Sequence, residues 1–371
     1  MSAKHQIFIF ILSLLISILC VKYLFSSKDL SELALGEGTS TYFARDKYNN
    51  AIHISNIDSL SKWEVLNNWK NNGKKDVILV LGNSQTHSIN QMKIGEYNYI
   101  EILRENISSF HIIGNTFPNA SLQDFLISYS YWKKVLPVKS VFIPLFFDDT
   151  REINGIGFDF YPQLVEEYFQ FPSDTELYMS LNNSIEGMRS NSNNDADGEV
   201  STQEKFELLI DNFLSETFAD VWPKRKDAQG FIFSSLYTLR NFVFNINPST
   251  VRRKIPERYD NNMKALDLII KDAVSNNISI YLYIPPIRDD HKIPYDLDDY
   301  QLFIRDVSLK AEEDNSIFFK DYSNIVPSEY FGTKESTSLS KKDELDFMHF
   351  RFEGHEILGD SLVNYFLNTS K

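Results

Sequence analysis

The chain has 371 residues, with 37 Lys and Arg against 51 Asp and Glu, and a single cysteine. The net charge of −14 argues against a general nucleic-acid binder, which needs a basic footprint to displace counterions from phosphate. Cys20 alone excludes an intramolecular disulfide framework and any multi-cysteine metal site, while 43% hydrophobic residues support a packed core.

The first element is an apolar run from Gln6 to Phe25, interrupted only by Lys22. Twenty such residues are about what a helix needs to cross a bilayer. Lys22 sits near the end, where its stem lets the ammonium reach the headgroups. A cleaved signal peptide is the competing reading, but Leu24-Phe25-Ser26-Ser27 is a poor cleavage site. We therefore expect residues 1–28 to form a cytoplasmic tip and a transmembrane signal anchor. The rest of the chain would then be extracytoplasmic, in a bacterial envelope. Residues 29–75 are mixed and polar, and are expected to be a stalk and entry segment.

From residue 76 the pattern becomes regular. Asp76 to Leu81 is a short continuous apolar run, which suits a strand buried on both faces. Phe110 to Ile113 predicts a second strand, and Ser121 to Leu136 a helix with Ser121 as its cap. Ser140 to Phe147 predicts a third strand, although Pro144 lies inside it. Residues 150–257 break the rhythm and are expected to be an insertion, partly helical. Alternation resumes with helices expected at 261–275, 298–313 and 353–366, and strands at 278–284 and 316–320. Strands alternating with helices predict a parallel sheet covered on both faces, with sites beyond the carboxyl ends of its strands.

That rule directs attention to Ser84, in Gly82-Asn83-Ser84 after the first strand. At the start of a helix its amide and the helix dipole favour a developing oxyanion. A hydroxyl has a high pKa and needs a base to become a nucleophile. Among the seven histidines, His87 is close in sequence but badly directed, and His355 is expected on a helix surface. His349 is the best placed. Asp346, three residues before it in an expected turn, can reach its Nδ1–H and orient the imidazole.

Gly82-Asn83-Ser84 after the first strand, with Asp346-x-x-His349 before the last helix, resembles the SGNH/GDSL hydrolase superfamily. The resemblance covers roughly residues 76–149 and 258–368. It implies a flavodoxin-like three-layer α/β/α sandwich with a parallel sheet, in which Ser84 is the nucleophile, His349 the base and Asp346 its orienter. It implies no cofactor and no metal. With an N-terminal membrane anchor and a mid-chain insertion, the chain further resembles envelope members, such as D-alanyl-lipoteichoic acid biosynthesis proteins and polysaccharide O-acetyltransferase relatives. Expected partners are an acylated polysaccharide or acyl donor, the membrane through residues 6–25, and an envelope acyltransferase.

Three positions depart from the family pattern. Asn83 replaces the usual aspartate. The second-block glycine is missing, so the oxyanion and substrate contacts would come from Ser84 with Asn115, Ala120 or Ser121. The third block reads Leu145-Phe146-Phe147-Asp148-Asp149, without an asparagine, leaving Asp148 and Arg151 as candidates there. Loss of one oxyanion donor costs roughly 2.7–4 kcal/mol of transition-state stabilisation. The expected activity is thus a serine esterase or O-acyltransferase of a cell-envelope polysaccharide. The alternative is a catalytically inactive envelope assembly or carbohydrate-binding protein.

Overall fold

The computed structural model describes residues 39–152, 161–196, 250–334 and 344–369. The run at 6–25 lies outside them, and among the described residues no helix is long and apolar enough to cross a membrane. One compact unit comprises Glu37–Ser190, Pro248–Glu335 and Lys342–Lys371. A second unit comprises Met1–Gly36, Asn191–Asn247 and Ser336–Lys341, of which only 191–196 are described.

The first unit is built on a six-stranded parallel sheet. Its strands are β2 (His53–Ile54), β3 (Val77–Gly82), β5 (His111–Thr116), β6 (Val138–Pro144), β7 (Ser279–Ile284) and β8 (Ile317–Asp321), in the spatial order β2-β5-β3-β6-β7-β8. The near-continuous apolar sequences of β3 and β7 suit burial on both faces. Side chains alternate between the faces at period two. Val77, Leu79 and Leu81 point into one core, with Ile113, Val141 and Ile143. Ile78 and Val80 point into the other, with Ile112, Phe142 and Tyr281. Pro144 falls at the last residue of β6, where its missing N–H costs the sheet little.

The first core is covered by α4 (Leu122–Val135), α7 (Pro256–Ser275) and α8 (Leu297–Lys310), with Val65 of α1 (Ser59–Asn71). The second is covered by α3 (Tyr99–Asn106) and α9 (Phe352–Thr369). Two helical layers around a parallel sheet make a three-layer α/β/α sandwich. The five strands from β3 onward stand in the doubly wound order 2-1-3-4-5, whose switch point lies between β3 and β6.

Residues 39–75 are not a stalk. β2 forms an edge of the main sheet, and β1 (Thr39–Thr41) pairs antiparallel with β4 (Ser88–Asn90). These strands are two or three residues long, too short to leave a periodic signal. The described part of the expected insertion holds α5 (Pro162–Glu166) and α6 (Glu176–Ala196). It packs onto the first core through Tyr161, Leu164, Phe169, Phe171 and Tyr178. Phe171 and Tyr178 stack with ring centroids 5.5 Å apart.

Candidate active site

β3 is followed by a single-turn helix, α2 (Ser84–His87). Asn83 caps it, its side-chain oxygen accepting from the Gln85 amide at 3.1 Å. The other end of the Asn83 side chain donates to Asp149 at 3.0 Å, which ties this turn to the loop after β6. Asp149 is buried, and burial pushes its carboxyl well above the usual range despite the Asn83 and Phe146 hydrogen bonds. The φ of Gly82 is not positive. Its requirement is close approach: a Cβ there would lie 2.1 Å from Thr86 Oγ1. Gly82→Ala is expected to displace the first turn of α2 and cost about 1–3 kcal/mol. A urea midpoint lowered at unchanged m-value would register that loss.

Asp346 and His349 lie within β10 (Glu344–Phe350), which pairs antiparallel with β9 (Phe331–Lys334). In a regular strand residues three apart point to opposite faces. Here the pairing is irregular: β10 advances from Leu345 to Phe350 while β9 moves only from Thr333 to Phe331. The extra residues fold into a turn around the Asp346 carboxylate, whose Oδ1 accepts from the amides of Met348 at 3.0 Å and His349 at 3.1 Å. The bulge brings both side chains to one side, so a turn does form as expected, but inside a strand.

The distances then close a continuous line. His349 Nδ1 lies 2.8 Å from Asp346 Oδ2, and His349 Nε2 lies 3.0 Å from Ser84 Oγ. Asp346 and His349 are buried. Burial pushes the Asp346 carboxyl up. The charge and hydrogen bond of His349, the Lys334 ammonium and the Met348 amide outweigh it, holding the carboxyl down at about 2. An ionised carboxylate can only accept, so the imidazole proton sits on Nδ1 and the Nε2 lone pair faces the hydroxyl. Such an arrangement can take a proton from Ser84 as its oxygen attacks.

The other expected contacts sit elsewhere in the fold. The Asn115 side chain is engaged internally. Its Oδ1 accepts from Ser128 Oγ at 2.5 Å and from Trp132 Nε1 at 2.9 Å, and its Nδ2 donates to the Ile54 carbonyl at 3.4 Å. The Ser121 amide and hydroxyl both donate to Asp124 Oδ2, at 2.7 and 2.6 Å, in the capping box of α4. The Ser121 amide and hydroxyl protons are thus both committed to the cap, and the Asn115 side-chain oxygen and Nδ2 are engaged within the core. Ala120 is buried at the same loop. Asp148 accepts from Arg151 at 3.3 Å, from Tyr295 at 3.1 Å and from Arg252. Arg151 also donates to the Arg253 carbonyl at 2.8 Å. The Ser84 amide, at the first position of α2, has no intrahelical acceptor.

Two histidines differ from their expected surroundings. His355 is fully buried rather than on a helix surface, its Nε2 lying 3.1 Å from the Ser88 carbonyl. His53, expected in a stalk, is buried with Nε2 2.7 Å from Thr116 Oγ1, the hydroxyl that also meets His87 Nδ1 at 2.8 Å. Sequence reasoning missed Gln85, which is buried in α2 directly after Ser84. Among the described residues no group of three or more His, Cys, Asp or Glu could hold a metal ion.

No protein-family profile matches the chain, and no curated protein sequence matches it. Among solved structures, a "putative acylhydrolase" from Bacteroides fragilis NCTC 9343 is similar with a TM-score of 0.34 and 12% identity, over 80% of this chain and 94% of that one. At that score and identity the likeness assigns neither activity nor residues.

Proposed function

We propose that the chain is a serine-dependent ester hydrolase or O-acyltransferase. The observation that carries this reading is the Ser84–His349–Asp346 line, with contacts of 3.0 and 2.8 Å, at the carboxyl end of β3. Ser84 Oγ attacks an acyl carbonyl as His349 Nε2 takes its proton. The imidazolium, stabilised by Asp346, returns that proton to the departing alkoxide, leaving an acyl group on Ser84. Water or an acceptor hydroxyl, deprotonated by His349, then attacks the acyl-enzyme; the Ser84–acyl bond breaks and the imidazolium returns the proton to Ser84 Oγ. The Ser84 amide contributes to stabilising the oxyanion, with the Ala120 amide as a second candidate donor.

The apolar run at 6–25 supports the finer reading that this chemistry occurs at a membrane, on the extracytoplasmic side of a bacterial envelope. A tethered enzyme suits a cell-surface polysaccharide or a membrane-delivered acyl donor, with an envelope acyltransferase as the partner class. The test is direct. Purified full-length protein is expected to react with a fluorophosphonate probe and to release p-nitrophenol from its acetate. Ser84→Ala is expected to lose both, with a fall in turnover of about 10⁴-fold or more. Equal labelling of the two proteins would remove the nucleophile assignment.

A second reading has its own observation. The Asn115 and Ser121 groups that would complete an oxyanion hole are consumed inside the fold. A carbohydrate-binding or assembly component without turnover is consistent with this. Polysaccharide binding that is equal in wild type and Ser84→Ala, with no probe labelling, would favour it.

A further inference from the structure

We propose that Gln85 is a positioning residue that sets the distance between Ser84 and His349, an inference that rests on the serine-esterase reading above. Gln85 follows the nucleophile directly in α2 and is only 2% exposed. Its Nε2 donates to the carbonyl of Met348 at 2.6 Å and to the carbonyl of Pro286 at 2.7 Å. Both N–H bonds of the amide are thereby used, and both acceptors are backbone oxygens from distant parts of the chain.

The Met348 carbonyl belongs to the peptide unit that leads into His349. The N–H of that same unit donates to Asp346 Oδ1 at 3.1 Å. This peptide plane is therefore held from both sides, by Asp346 on its N–H and by Gln85 on its C=O. Its orientation aims the imidazole. Pro286 follows β7, and the same loop meets β10 again where the Arg288 amide donates to the Phe347 carbonyl at 2.9 Å. Gln85 thus links the helix that bears the serine, the bulge that bears the histidine, and the end of a sheet strand. Asn83, on the other side of Ser84, makes the corresponding link to the loop after β6 through Asp149. The bulge interrupts the ladder with β9, so its residues are held instead by the Asp346 carboxylate, the Arg288 amide and the Gln85 side chain.

Gln85→Met removes both donors at nearly constant volume. The 348–349 peptide would then be free to turn, and a shift of about 1 Å in a reacting group costs on the order of 10²-fold in rate. The expected result is a kcat for p-nitrophenyl acetate lowered about 10²-fold with KM nearly unchanged. Gln85→Asn, which keeps the amide but shortens its reach, is expected to fall between the two.

A second measurement reads the geometry without an ester. In Ser84→Cys, a thiol beside His349 is expected to have a pKa well below the ordinary value of about 8.5. The pKa is read from the pH dependence of iodoacetamide alkylation, followed at residue 84 by peptide mass spectrometry because Cys20 is also a thiol. In Ser84→Cys/Gln85→Met the value is expected to return toward 8.5. An ordinary thiol pKa in Ser84→Cys with Gln85 intact would sink the Ser84–His349 couple and the esterase reading with it. A depressed pKa that survives Gln85→Met, or an unchanged kcat, would overturn only the role given to Gln85. Failure of both Gln85 variants to fold, judged by thermal unfolding, would also overturn it, since Gln85 would then be a structural residue.

Discussion

Asp346→Asn is expected to lower turnover by about 10⁴-fold while leaving the protein folded. The size follows from the proton on the imidazole. The carboxylate of Asp346 accepts from His349 Nδ1 at 2.8 Å through Oδ2 and from two backbone amides through Oδ1. An asparagine can keep the two backbone bonds with its oxygen, so the turn survives. It then presents an NH₂ where Oδ2 stood. Two donors cannot share that contact, so the imidazole moves its proton to Nε2 and loses the lone pair that faces Ser84 Oγ, 3.0 Å away. Steady-state hydrolysis of p-nitrophenyl acetate, with circular dichroism to verify the fold, checks this. Turnover within tenfold of wild type would mean that Asp346 is only a turn former.

Stability is expected to fall as pH drops from 7 toward 4. Three histidines are buried in their neutral form. Burial holds His355 down at about 3 and His111 at about 4, and places His53 well below its ordinary value, with His87 adding to the last. Their folded pKa values are depressed, so the unfolded chain takes up protons first. The stability they contribute is complete above about 6.5 and erodes as pH falls toward the folded values. These rings contribute up to three protons of difference, and Asp149, whose buried carboxyl keeps its proton on folding, offsets about one, so the slope approaches about 2.7 kcal/mol per pH unit near pH 5. Asp346 acts in a separate window. Its pKa of about 2 stabilises the fold above its ordinary value of 3.8, and that contribution disappears only as pH falls through about 2. Urea midpoints at pH 7, 6 and 5 check the prediction, and His355→Gln is expected to reduce the slope by about one proton. A flat profile between pH 7 and 5 would contradict the neutral, buried state of these rings.

Legibility from sequence follows the length of each element. β3 and β7 were readable because five apolar residues in a row have few alternatives to a strand buried on both faces. The start of α4 was readable at Ser121 because capping is a local contract between a hydroxyl and an amide three residues on. β2, with two residues, and the 39–75 segment as a whole carried no such pattern. Their place at the sheet edge comes from pairing His53 with Gly114, 61 residues away in the chain.

The composition and order of residues determined by themselves an acidic chain with an apolar N-terminal run, an alternating α/β architecture with a parallel sheet, and a hydroxyl after its first long strand. These properties are local: they depend on runs, periods and caps within a dozen residues. Only the tertiary structure decided that β10 bulges so that Asp346 and His349 share a side, that Ser121 and Asn115 spend their polar groups on the core, that His355 is buried, and that Gln85 spans 201 and 263 residues to two backbone carbonyls. Hydrogen bonds between distant segments form when packing removes water from both partners, and no short-range pattern records which partners packing will bring together.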